Sequence, residues 1–163
     1  MLKEKLQQDV KDALKAGDSK KRMVIGGIMS AIKNRELDKR ARLSKAGTDL
    51  SKLDEESRLN EEEILEVIVS EAKKRKESIE SFKSGGREDL AKGEEEELQI
   101  LMLYMPEQLT GDQIREEVKR TMSETGISDT KGMGKLIGAV MAKVKGKADG
   151  TLVSKIVKEE LGQ

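Results

Sequence analysis

The chain has no cysteine and no histidine. Without Cys there is no disulfide, no thiolate metal site and no thiol nucleophile. Without His, the commonest general base and metal ligand near neutral pH are gone. Tryptophan is absent too, and Phe82 and Tyr104 are the only aromatic residues. A core must therefore be aliphatic, and the bases of a single-stranded nucleic acid would find almost no rings to stack on. There is one proline, Pro106. No apolar run approaches the ~18 residues that a membrane span requires. The opening Met1-Leu2-Lys3-Glu4-Lys5 leads into no apolar stretch, so no secretory signal is expected. These absences point to a soluble, cytoplasmic chain, and no cofactor or metal site is expected.

What is present in abundance is charge, with 32 residues of each sign. The zero sum hides a segregation. Residues 1–45 carry 13 Lys+Arg against 6 Asp+Glu, and residues 46–109 carry 9 against 18. Within the last third, residues 131–158 hold seven Lys and a single acid, Asp149. Two readings stand side by side: basic ends that face an anionic partner, or solvated helix faces that pair within the molecule.

Helical periodicity runs almost throughout. Leu2, Leu6, Val10 and Ala13/Leu14 form one stripe, Gly17 is a stop, and Asp18 or Ser19 starts the next helix. Val24, Ile25, Ile28, Met29, Ile32 and Leu37 mark a longer helix to about Ala41. Gly26 and Gly27 inside it each cost roughly 1 kcal/mol relative to Ala, which close packing against a neighbouring helix, the favoured reading, or a hinge would explain. Residues 44–58 read as a loop or frayed end. Asn60 with Glu61, Glu62 and Glu63 is a capping-box start, and Ile64, Leu65, Ile68, Ala72, Ile79 and Phe82 carry that helix to Gly85-Gly86. A further helix spans Glu88 to Met105, and Pro106 stops it. Beyond it Thr110 and Gln113 form another box, Gly126 ends that helix, Ser128 or Asp129 opens the next, and Thr151 opens the last. The expectation is an all-α protein without strands. An N-terminal helical domain of about four helices covers 1–105, and a three-helix tail covers 106–163.

Gly132-Met133-Gly134-Lys135 invites comparison with a phosphate loop and fails it: Asp129 stands where the first Gly is needed, and Leu136 follows the Lys where Ser or Thr is required. A Gly-rich helix start still exposes N–H groups that can hold a backbone phosphate. Gly138 reads as a close helix crossing. Lys143-Val-Lys145-Gly-Lys147-Ala-Asp149-Gly150 is a basic helix end and turn, suited to the helix dipole or to RNA phosphates. Glu94-Glu95-Glu96-Glu97 reads as a solvated face, since consecutive carboxylates point around a helix instead of converging. Lys73-Lys74-Arg75-Lys76 reads similarly, because Glu71 and Glu80 can pair with it. No Gly-Xaa-Ser-Xaa-Gly elbow and no Ser/Gly-rich amidase-type stretch occurs, so no catalytic residue is assigned.

Tyr104-Met-Pro106-Glu-Gln-Leu109 and Lys131-Gly-Met-Gly-Lys-Leu-Ile-Gly-Ala-Val-Met-Ala-Lys-Val-Lys-Gly-Lys-Ala-Asp-Gly150 resemble the YqeY family. So do Arg22, Lys33 and Lys74-Arg75-Lys76-Glu77-Ser78, and the resemblance spans nearly the whole chain. These are stand-alone relatives of the tail of the B subunit of the Asp/Glu-tRNA amidotransferase. The resemblance implies a helical domain, a three-helix tail, and contact of that tail with tRNA. Carried over residue by residue, it places RNA contact at Lys135, Lys143, Lys145 and Lys147, with Lys131 beside them at the head of the same string. Lys20, Lys21 and Arg22 would add contacts. The amidotransferase's catalytic cradle and glutaminase half are absent from this chain. A carbon–nitrogen ligase activity with glutamine as amido-N-donor would rest on the shared tail alone. The expected roles are therefore a tRNA-binding accessory protein or, alternatively, a protein–protein adaptor for an amidotransferase or synthetase complex.

Overall fold

The computed structural model describes residues 1–162, and its contacts divide the chain into two compact units, Met1–Tyr104 and Met105–Gln163. Among the described residues every regular element is helical. None of these helices is long and apolar enough to cross a membrane.

The first unit contains α1 (Leu2–Ala16), α2 (Ser19–Lys45), the single turn α3 (Leu53–Glu56), α4 (Glu61–Ser84) and α5 (Glu88–Met102). Local chemistry sets the joints. Gly17 takes a left-handed φ of 70°, which closes α1 at no steric cost. One residue on, the Asp18 carboxylate accepts from the Lys21 N–H and starts α2. Asn60 and Glu63 form the expected reciprocal box at the start of α4. The core is aliphatic: Leu6, Ile25, Ile28, Ile32, Ile64 and Ile68 are all essentially sealed from solvent.

Several expectations change. Helix α2 continues past Ala41 to Lys45. The polar stretch after it is more than a loop, because Leu53 on α3 is buried in the core. Leu14 and Leu37 lie on the apolar spacing yet are more than half exposed. A side chain added at Gly26 or Gly27 would meet nothing within 4 Å, so close packing does not explain these glycines. Helix α5 ends at Met102, ahead of Pro106. Tyr104 then turns inward and is buried. Its hydroxyl donates to Asp9 Oδ2 at 2.6 Å, and the Lys5 ammonium lies 5.3 Å from the ring centre.

The charge segregation is consumed largely inside this unit. Lys3 pairs with Glu36 at 2.6 Å, Arg35 with Glu66 at 3.6 Å and Lys39 with Glu63 at 2.9 Å, while Arg40 pairs with Asp54. The acidic run of α5 is therefore not a solvated face. Glu94 and Glu97 both reach Arg75, Glu95 reaches Lys83 and Glu96 reaches Lys20. The four consecutive carboxylates do point around the helix, but each direction finds a cation on α4 or α2. The Lys73–Lys76 run is likewise tied, with Lys74 on Glu71 and Arg75 on α5. Half-exposed pairs of this kind contribute roughly 0–1 kcal/mol each, so they fix which helices sit side by side more than how firmly.

Candidate nucleic-acid interface

The second unit is a three-helix arrangement of α6 (Gly111–Thr125), α7 (Met133–Lys143) and α8 (Gly150–Glu160), with a 3-10 turn at Thr130–Gly132 before α7. Its core is Ile114, Val118, Leu136, Val140, Val144, Val153, Ile156 and Val157. Thr110 and Gln113 box the start of α6, and Gly126 closes it with φ 69°. The Asp129 carboxylate caps the 3-10 turn through the Gly132 N–H. Asp149, not Thr151, caps α8. Gly132 is required sterically, since a Cβ there would sit 2.5 Å from Ile127 Cγ2. Gly134 and Gly138 are different: a side chain on either would meet nothing within 4 Å. The close crossing expected at Gly138 is not there.

The Pro106-to-Leu109 strip is stitched to the Lys145–Lys147 turn. The Gln108 amide donates from Nε2 to the Pro106 carbonyl and to the Gly146 carbonyl, both at 2.8 Å, and the Leu109 N–H donates to the Lys147 carbonyl at 2.7 Å. Gly146 itself is buried at φ 73°. The two ends of the long motif are thus one structural feature, with Gln108 as the clasp. The sequence marked Gln108 only as a member of the Tyr104-to-Leu109 motif.

All five candidate lysines are exposed, but they divide by partner. Lys143 is engaged within the protein: its ammonium meets Glu117 at 3.2 Å, Thr121 Oγ1 at 3.1 Å and the Glu124 carboxylate. The hydrogen bond with Glu124 raises the Lys143 pKa and lowers that of Glu124, whose charge is also supported by Arg120. Thr121, fully buried, gains its partner from this arrangement. Lys143 therefore ties α7 to α6. Arg115 is tied to Glu159 and Glu160, and Lys119 to Glu160. Lys131, Lys135 and Lys147 make no ion pair among the described residues. Lys135 shares the exposed side of α7 with Gly134, Gly138 and Ala142, none larger than a methyl group. Lys145 and Lys147 follow on the turn held by Gln108. Lys20, one of the added contacts expected in the first unit, is tied to Glu96.

Such an arrangement presents exposed cations over a surface with no tall neighbours. It suits a phosphate backbone and offers no ring for base stacking. Among the described residues no group of three or more acidic side chains is arranged to hold a metal ion.

These features define a class: a two-unit, all-helical protein whose second unit carries a lysine-bordered, glycine-lined helix. The chain belongs to the family of Yqey-like proteins, whose model matches residues 3–161. It is also similar to proteins named "Altered inheritance of mitochondria protein 41, mitochondrial". The Eremothecium gossypii protein is 30% identical over 100 residues, which is 61% of this chain and 46% of that protein. The Kluyveromyces lactis protein is 32% identical over 99 residues, 61% of this chain and 45% of that protein. The Pyrenophora tritici-repentis protein is 33% identical over 98 residues, 59% and 54% respectively. The matched part spans about half the length of these relatives. Their names place each of them in mitochondria, which overturns the cytoplasmic location expected from composition. A missing cysteine gives no hint of an oxidising compartment and does not distinguish one compartment from another.

Proposed function

We propose that this protein binds folded RNA of the tRNA type through the exposed lysines of its second unit, as an accessory protein without a catalytic centre of its own. The observation that supports this most is the division of the basic side chains. In the second unit Arg115, Lys119, Arg120 and Lys143 are held by acids. Lys131, Lys135 and Lys147 are exposed and make no such pair among the described residues. The resemblance of this unit to the tail of a tRNA amidotransferase subunit points the same way. Carbon–nitrogen ligase chemistry is not part of the proposal: the sequence has no His or Cys and no Gly-Xaa-Ser-Xaa-Gly elbow.

Recognition would run through shape and backbone charge, because rings for reading splayed bases are lacking. Three to four phosphate contacts imply that log K falls with log salt at a slope of about −3. The test is binding of the purified chain to bulk tRNA at two salt concentrations with duplex DNA as competitor. A salt-dependent preference for tRNA supports the proposal; absence of binding at low salt removes it.

A further inference from the structure

Helix α2 carries an uncharged face directed away from the core. Met23, Gly27, Ser30, Asn34, Leu37, Ala41 and Ser44 follow each other in alternating steps of four and three, and every one is exposed. This is the spacing at which one helix presents a continuous seam to another. Seven consecutive seam positions without a charge stand out in a chain that is 39% charged. Two of them are large and apolar: Met23 is 59% exposed and Leu37 is 53% exposed. Between them Ser30 turns its hydroxyl back onto the Gly26 carbonyl at 3.0 Å, so it presents little polarity outward. Open space over Gly26 and Gly27 leaves room for a second backbone to come close. Neither glycine has a positive φ, so α2 carries their helix-weakening cost with no structural return inside the unit.

The edges of the seam say what fits it. Arg22 and Lys33 lie along one edge and Lys45 along the other, with Arg42 a step further round. None of these four makes an ion pair among the described residues, although cations elsewhere on α2 are tied to acids. Asp38 is the one acid among them. A second copy packed on this seam, parallel or antiparallel, would set basic edge against mostly basic edge.

We propose that the exposed face of α2 is a docking site for an amphipathic helix of another protein, one with an aliphatic or small-residue seam and acidic residues at its flanks. The seam from Met23 to Ser44 offers about 32 Å of length at 1.5 Å per residue, enough for three heptads. Nucleic acid would use the four cations but would gain nothing from Met23 and Leu37.

The test uses the full chain and two labelled synthetic helices of three heptads. Both carry Leu and Ala at the seam positions; one has Glu at the flanks and the other Lys. The expected result is salt-sensitive binding of the Glu-flanked helix alone. It should weaken about tenfold or more in Met23→Glu/Leu37→Glu, with the helical circular dichroism and melting curve unchanged. It should be unaffected by charge reversal at Lys131, Lys135 and Lys147. Binding that ignores Met23→Glu/Leu37→Glu, or that does not distinguish the two helices, overturns the proposal. So does displacement of the helix by tRNA, which assigns the face to nucleic acid. A dimer in sedimentation that Met23→Glu/Leu37→Glu dissolves assigns it to a second copy and overturns it as well.

Discussion

Lys143 and Lys135 belong to one basic string but differ in surroundings, and the difference is measurable. Lys143 lies between Glu117, Thr121 and Glu124. Lys143→Met should lower the melting temperature, because it leaves the buried Thr121 hydroxyl and Glu117 without the ammonium they share and Glu124 with Arg120 alone. Lys135→Met should leave the melting temperature alone and weaken RNA binding. Glycines divide in the same way. Gly138→Ala should raise stability by roughly 1 kcal/mol, since the site is helical and open. Gly132→Ala should lower it by about 1–3 kcal/mol, because its Cβ would overlap Ile127. Thermal melts of both variants check the pair. Sequence alone does not separate these residues: a lysine's neighbours lie on another helix, and a glycine's reason lies in the space around it.

At the scale of elements, the clasp at Gln108 joins two segments that are far apart in sequence. Gln108→Ala frees the Gly146 carbonyl and the strip beside it, and should cost about 1–3 kcal/mol. Hydrogen exchange at the Leu109 amide, which donates to Lys147, should report the loss locally. Helix starts and stops were largely legible because their chemistry is local. Asn60 with Glu63 and Thr110 with Gln113 form the expected boxes, and Gly17 and Gly126 take the left-handed closing conformation. Long-range features were not legible. Leu14 and Leu37 fit the apolar spacing yet face solvent, because spacing identifies a face without saying whether anything covers it. The Glu94–Glu97 run looked solvated because its partners Arg75, Lys83 and Lys20 lie on other helices. Of the candidate interface, the string of lysines was legible, but not which of them the fold engages internally.

For the whole molecule, the segregated charge makes stability depend on acid pH. Glu63, Glu96 and Glu124 all have pKa values lowered by hydrogen bonds, to Lys39, Lys20 and Lys143 respectively. A carboxylate with a lowered folded-state pKa contributes stability above its unfolded value, near 4.5, and loses it as pH falls through the folded value. Melting temperature should therefore hold through neutral pH and fall below about pH 4. Urea titrations at pH 3 and pH 7 check the direction. The central claim is that cations left over from this internal pairing in the second unit meet RNA. Its most direct test is tRNA binding by the Lys131→Glu/Lys135→Glu/Lys147→Glu variant beside the unaltered protein, both followed by circular dichroism. The account predicts an unchanged fold, affinity lowered at least about tenfold at low salt, and a shallower salt slope. Equal affinity of the two proteins, with both folded, would contradict it.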